Sequence, residues 1–387
     1  MKLAKRLDDF EAYLGTAMNV ILTRMKDEGK DVINLGLGDP DVIPPQAQRQ
    51  ALADACLEEG SHHYPSFYSA LPLKKVMSDW YRREFSVDCD AETEVLPLLG
   101  SADGLFHVHT ALLDPGDLAL IPDPCYPAYV ASAAVTGAQP VMIPLLSENG
   151  FLPDLDAIDP QIARQAKMIW VNYPNNPTAA VASDDFYRKL IDWAREYDVA
   201  VISDNPYCKI SFDGYHAPSF LQFEGAKEVG VELNSLSKSY NCCGWRVGMI
   251  MGNADLISAM NKIKSHSDRG MFYPMQVAAT KALNGPMNFM EERNRMFTER
   301  RDVVIKGLRK MGIAVENPRA TFYIWASLPE GVKVSKDWCF KVLDAIAVWM
   351  IPGSMYGEHG EGFFRIALTH PADRLTEAMD RLEKFLG

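Results

Sequence analysis

Residues 168–204 read MIWVNYPNNPTAAVASDDFYRKLIDWAREYDVAVISD, two apolar runs separated by a polar loop and an amphipathic segment. MIWVN (168–172) and VAVIS (199–203) are short and apolar almost throughout, as buried strands are. Between them Ser183 stands where a helix N-cap would, and Phe186, Leu190, Ile191 and Trp193 supply most of an apolar stripe. Strand, crossover helix and strand make the repeating unit of a parallel α/β sheet. Working outward, LALIP (118–122), PVMIP (140–144) and GMIMG (248–252) read as further buried strands alternating with helical patterns.

From about residue 286 the texture changes to a long charged helix, EERNRMFTERRDVVIKGLRKMG, followed by short strands such as TFYIWA and FFRIAL. This predicts a second, smaller α+β domain made of residues 1–44 and 286–387, beside a large domain of residues 45–285. With no internal repeat, low-complexity tract or long linker, the two parts should pack closely. The 387 residues, 48% of them hydrophobic, suffice to bury a large core. Lysine and arginine number 39 against 51 aspartates and glutamates, a net charge of −12. That balance disfavours nucleic acid and anionic membrane as partners, so an anion site has to be local. The first residues, MKLAKRLDDF, lack the apolar run of a signal peptide, and a cytoplasmic protein is expected.

Seven cysteines without a CxxC spacing argue against a disulfide framework and a zinc site, so reduced thiols are expected, with Cys242 and Cys243 lining core or pocket. His107 and His109 lie two apart on a helical segment and face different directions, which suits packing better than joint metal ligation. LGLGDPD (35–41) lacks the third glycine of a dinucleotide fingerprint, Asp41 standing in its place.

The chemistry gathers where strands end. In LLGSADGLFHVHTALL a helix starting near Ser101 would turn free N–H groups toward an anion such as a phosphate. Asp204 closes the run VISD, where an isolated charge is costly and calls for a cationic partner. SLSKSYNCCGWRVG (235–248) adds Ser235, Lys238 and Arg246. A helix N-terminus, a serine and an arginine for a phosphate, an aspartate for a ring nitrogen and a lysine for a Schiff base together describe a site for pyridoxal 5'-phosphate.

On these motifs the chain resembles the fold-type I, class I/II aminotransferases over essentially its whole length. The likeness is strongest to the LL-diaminopimelate aminotransferase group, through PLLSENGFLPDLDAI, NYPNNPTAAVA, FDGYHAPSFLQFEGAKEVGVE, SLSKSYN, GWRVG, ATFYIW and GEGFFRIALT. The resemblance implies a mostly parallel seven-stranded sheet and a homodimer with shared active sites. It implies that Lys238 carries the cofactor and shuttles the substrate proton, that Asp204 holds the pyridine nitrogen, and that Tyr207 and Asn176 bond the phenolic oxygen. Tyr126 would stack on the ring. Ser235, Arg246 and the backbone at Ser101 and Ala102 would bind the phosphate, with Tyr64 of HHYPSF reaching in from a second subunit. Arg365 would take the substrate α-carboxylate, with Gly38 closing over it and Asn176 beside it.

Around the pocket the chain departs from that group's usual pattern. GSADG stands for GSKEG, which puts Ala102 where a lysine is usual, and SDNPY, CCGWR and SHSDRG replace HDAAY, MTGWR and NIDSG. Lys264, His266 and Arg269 fall in a segment that in this fold approaches the neighbouring subunit's substrate, with solvated surface as the plainer alternative. Arg269 could supply a cation for a distal carboxylate. Three functions stay open: an aminotransferase for a polar or dicarboxylic amino acid such as LL-diaminopimelate, with 2-oxoglutarate and glutamate as partner pair; an enzyme using the same cofactor for elimination, replacement or oxidation at Cα, Cβ or Cγ; and a regulatory protein on the same scaffold, which intact Lys238, Asp204, Arg246 and Arg365 disfavour.

Overall fold

The computed structural model describes residues 1–4, 6, 14–65 and 70–387; Ser66 and Phe67 of the HHYPSF motif lie outside them. A two-residue strand, Ile33–Asn34 (β1), precedes the main-sheet strands Val95–Leu98 (β2), Leu118–Asp123 (β3), Gln139–Pro144 (β4), Ala166–Val171 (β5), Ala200–Asp204 (β6), Gly230–Ser235 (β7) and Gly248–Gly252 (β8). Four more follow: Tyr323–Ser327 (β9), Val348–Trp349 (β10), Ile351–Pro352 (β11) and Phe363–Ala367 (β12).

The large sheet has seven strands in the order β2-β8-β7-β6-β5-β3-β4. Six of its strands run the same way, and β8 runs antiparallel to both its neighbours. GMIMG is thus a buried strand as expected, but it reverses the parallel direction. Strand β7 carries no legible apolar run, because Glu232 and Asn234 interrupt GVELNS. Both are buried, and Glu232 accepts bonds from Ser219 Oγ (2.7 Å), Phe220 N (2.8 Å), Ser203 Oγ (3.0 Å) and Tyr81 OH (3.1 Å). A carboxylate satisfied this fully tolerates an interior position that its polarity argues against.

Alternate residues of the strands feed two cores, one on each face of the sheet. Leu120, Ile169 and Val201 pack with Trp80, Tyr187 and Leu190, while Ile121, Trp170 and Ile202 pack with Leu105, Val108 and Tyr129. The crossover helix Asp184–Tyr197 begins at Ser183, whose hydroxyl accepts the Phe186 amide, and buries Phe186, Tyr187, Leu190, Ile191, Trp193 and Ala194. That is the apolar stripe read from sequence, extended by Tyr187 and Ala194.

Strands β11, β12 and β9 form a separate antiparallel sheet, and β1 pairs in parallel with β10. Phe297, Val304 and Leu308 of the long helix Asn288–Lys310 pack on Ile324, Phe364 and Ile366 of this sheet and on Phe322 just before it. Tyr207, Ile210 and Phe212, from the loop after β6, enter the same core, so the second sheet is seated on the loops of the first. Among the described residues no helix is long and apolar enough to cross a membrane.

Candidate active site

Pairing register fixes where the chemistry converges. Gly248 at the start of β8 pairs with Leu98 at the end of β2 and with Ser235 at the end of β7. Because β8 is antiparallel, its amino end lies beside the carboxyl ends of its neighbours, so Gly100–Ser101, Ser235–Lys238 and Arg246 meet at one edge of the sheet. Asp204 ends β6, Asn172 follows β5 and Asp123 ends β3 on that edge too.

The helix Ser101–Leu112 starts where expected, after Gly100 at φ +83°. A Cβ on Gly100 would lie 2.2 Å from Arg246 Nη2, and one on Gly248 would lie 2.7 Å from the Ser101 nitrogen. Bare backbone at both positions lets the arginine and the helix N-terminus close on one small volume. Ser235 caps the short helix Leu236–Ser239 by accepting the Ser237 amide. Arg246 bonds Ser237 Oγ (3.3 Å) and Cys243 O (2.8 Å), which brings Ser237, not singled out in the sequence, into the cluster.

Lys238 Nζ donates to Gly38 O and lies 3.7 Å from Cys243 Sγ. Cys243 thus lines the pocket; burial pushes its thiol up to about 11, so it stays protonated. All seven cysteines are free thiols. Asp204 is 5% exposed. Its Oδ2 accepts from Tyr129 OH at 2.7 Å, and its Oδ1 has no hydrogen-bond partner among the described residues. Burial drives this carboxyl up to about 7, against the pull of the Tyr129 bond.

Tyr207 OH and Tyr323 OH are 3.1 Å apart, and burial holds the Tyr207 phenol well above its ordinary range. Asn172 joins two strand ends, donating to Asp204 O and accepting the Asn176 amide. Asn176 Oδ1 accepts Arg365 Nη1 at 2.6 Å, while Arg365 Nη2 donates to Gly36 O at 2.7 Å. The Arg365 guanidinium lies 4.0 Å from the Tyr323 ring centroid. A Cβ on Gly38 would stand 2.1 Å from Tyr323 OH, so only glycine lets the LGLGDPD loop lie this close. Asp41 anchors that loop through two 2.7 Å bonds from Arg300. Tyr126 is half-buried, edge-on to Tyr129. Tyr129, Tyr323 and Asn172 escaped the sequence reading because each resembles an ordinary core residue until its partner, far away in the chain, is known.

Tyr64 and Arg269 instead meet each other at the surface, where the Arg269 guanidinium lies 5.6 Å from the ring centroid of Tyr64, which is 85% exposed. Lys264 is not solvated: its ammonium is buried and bonds Asp103 Oδ2 at 2.6 Å and Asp268 Oδ2 at 2.5 Å. Asp103 also bonds His107. His109 is buried, accepts Trp170 Nε1 at 3.2 Å and is pushed down to about 4 by burial, so it is a neutral core residue.

These residues fit pyridoxal 5'-phosphate. The unpartnered Asp204 oxygen matches a protonated ring nitrogen, the glycine-lined cradle beside Arg246 matches a phosphate, and the Lys238 amine lies between them in sequence and on the same sheet edge.

The chain is similar to known proteins along nearly its whole length. A family model described as aminotransferase class I and II matches residues 30–382. The LL-diaminopimelate aminotransferase of Halothermothrix orenii is 43% identical over 383 residues, covering 99% of this chain and 98% of that one. Its counterpart in Desulforudis audaxviator is 44% identical over 384 residues, with 99% and 98% covered. Among solved structures, substrate-bound BacF from Bacillus subtilis superposes with a TM-score of 0.96 at 35% identity, covering all of this chain and 98% of BacF.

Proposed function

Because the chain belongs to the class I and II aminotransferases and is a pyridoxal 5'-phosphate-dependent enzyme of that family, we propose that it transfers the amino group of a polar, dicarboxylic amino acid of the LL-diaminopimelate type to 2-oxoglutarate, yielding glutamate. The observation that carries this reading is the convergence of Lys238, the half-partnered Asp204 and the Gly100–Arg246 cradle on one sheet edge. The full-length likeness to LL-diaminopimelate aminotransferases supports the substrate class.

The bound cofactor supplies a carbonyl for the substrate's amino group and a ring that withdraws electrons from its Cα. In our reading Lys238 Nζ attaches the cofactor and, when free, carries the proton to and from the substrate Cα. Asp204 keeps a proton at the ring nitrogen. Tyr207 and Asn176 bond the phenolic oxygen, Asn176 through the amide nitrogen that its bond to Arg365 leaves available. Tyr126 covers the ring face. Ser101 and Ala102 amides, Ser235 and Arg246 hold the phosphate, with Ser237 added as a companion of Arg246. Arg365 receives the α-carboxylate through its two Nη groups beside the Gly38 loop.

We assign residues 45–285 to the cofactor domain and residues 1–44 with 286–387 to the smaller one, a division supported by the large sheet lying wholly within 95–252. The working unit is a cytoplasmic homodimer in which Tyr64 and Arg269 serve the partner's site, Tyr64 at the phosphate and Arg269 at the distal carboxylate. Exposed Leu57, Tyr64, Phe106, Phe272 and Tyr273 supply apolar surface for that contact.

The test is a panel of amino acids added one at a time to cofactor-loaded protein without oxoacid. LL-diaminopimelate should convert the cofactor to its amine form, and 2-oxoglutarate should reverse the change, both seen by absorbance. A kcat/KM for LL-diaminopimelate more than about a hundredfold below that of a monocarboxylic amino acid overturns the substrate class. Release of ammonia without the amine form overturns transamination.

A further inference from the structure

The turn that carries Lys238 is held by a group outside the cofactor site. Arg293 lies near the start of the helix Asn288–Lys310 and is 3% exposed. Its Nη1 donates to Lys238 O (3.2 Å) and to Ser239 O (2.5 Å). Its Nη2 donates to Lys209 O (2.5 Å) and to Asn294 Oδ1 (3.0 Å), and its Nε bonds the same Asn294 oxygen (3.2 Å). Asn294 Nδ2 reinforces the grip by donating to Lys209 O at 3.1 Å.

Every one of these acceptors is a neutral amide oxygen. A buried guanidinium is ordinarily matched by a carboxylate, so its assignment here to carbonyl oxygens asks what those carbonyls do. Leu236–Ser239 is a single helical turn, and its last carbonyls lie beyond the reach of its own amides. Arg293 satisfies two of them, including that of Lys238 itself. Its other arm takes Lys209, two residues beyond Tyr207 in the loop that follows Asp204. Burial lowers the guanidinium only to about 10, so it stays charged at neutral pH.

We propose that Arg293 is a positioning residue for Lys238: by clamping the carbonyls of 238–239 and 209 to one rigid group on the long helix, it fixes the base of the lysine side chain relative to the Asp204–Tyr207 loop, so that Nζ meets the substrate Cα proton in register. The proposal rests on Lys238 being the proton-carrying lysine. It assigns Arg293 no contact with cofactor or substrate.

The experiment compares cofactor-loaded wild type with Arg293→Met, Arg293→Gln and Arg293→Lys. Loaded protein is given the fastest donor of the panel, deuterated at Cα and without oxoacid, and loss of deuterium to water is followed per bound cofactor. Wash-out in Arg293→Met should fall about ten- to a hundredfold, the penalty of a slightly misplaced reacting group. Substrate KM and cofactor stoichiometry should stay within about twofold. Arg293→Lys, which keeps a charge but loses the fork, should recover part of the rate. Amide hydrogen exchange at residues 238–241 should rise about tenfold or more with and without cofactor, while β9 and β12 stay protected.

Wash-out unchanged per bound cofactor in Arg293→Gln and Arg293→Lys overturns the proposal, as does a rate loss that only tracks lost cofactor or a general rise in exchange. Borohydride reduction of wild type separates the two readings. Trapping the cofactor on another lysine overturns the role of Lys238 and the proposal with it, whereas trapping on Lys238 with unaltered wash-out overturns the role of Arg293 alone.

Discussion

Asp204 shows what the site costs before its cofactor arrives. Burial raises its carboxyl from 3.8 to about 7, Glu232 adds to the rise, and the Tyr129 hydrogen bond opposes it. Between those two values the folded chain holds more protons than the unfolded chain. The stability this group contributes is therefore complete below the unfolded value of 3.8 and is lost as pH rises through about 7. Asparagine keeps an oxygen for Tyr129 but cannot ionise. In cofactor-free protein, Asp204→Asn should thus gain on wild type by about 2 kcal/mol between about pH 5 and pH 7.5, read from urea midpoints. A difference that does not change with pH would show an ordinary carboxyl at 204. With Asp204 at the ring nitrogen, as proposed, the same substitution should instead lower the activity of loaded protein.

At the scale of elements, the sequence is legible where a chemical type and a strand end coincide. Asp204 and the Ser101 helix start follow short apolar runs and Arg246 stands just before the apolar run GMIMG, whereas Lys238 is marked by its own motif after β7; the sheet brings all four to one edge. Strand β7 was opaque because Glu232 and Asn234 break its apolar run, and their burial depends on Ser203, Ser219 and Tyr81, distant in the chain. The reversal at β8 was opaque too, since an apolar pentapeptide carries no direction. The burial of Lys264 was not legible because, although Asp268 lies one turn on at the end of the same helix, its other partner Asp103 becomes a neighbour only when the helices Ala254–Ser267 and Ser101–Leu112 pack. The loop entering that second helix makes the sharper prediction. Gly100 has φ +83°, and a Cβ there would lie 2.2 Å from Arg246 Nη2, so alanine meets backbone strain and a displaced guanidinium together. Gly100→Ala should weaken cofactor affinity about ten- to a hundredfold, the range for a lost charged hydrogen bond, as measured by equilibrium dialysis. Unchanged affinity would show that the phosphate is held elsewhere.

Across the whole molecule, the second sheet and the LGLGDPD loop complete a site whose floor belongs to the first. Arg365 reaches Asn176 and Gly36, Cys125 N donates to Tyr356 O at 2.9 Å, and His359 bonds Asp123, so one chain brings the second sheet onto the strand ends of the first. Tyr64, by contrast, stands out from its own chain beside Arg269, and Phe272, which packs on His62, is exposed too. The homodimer proposed above has each chain lend this exposed ring to the other's site. Complementation between defective chains tests that geometry. Tyr64→Ala homodimers should bind cofactor weakly, and Lys238→Ala homodimers should be inactive. A hybrid dimer, however, pairs an intact Lys238 on one chain with an intact Tyr64 on the other, and so contains one whole site. Equal mixing gives about half hybrids, so activity at limiting cofactor should return to about a quarter of wild type if subunits exchange freely. Exchange demonstrated by mass tags without any return of activity would place Tyr64 in the site of its own chain.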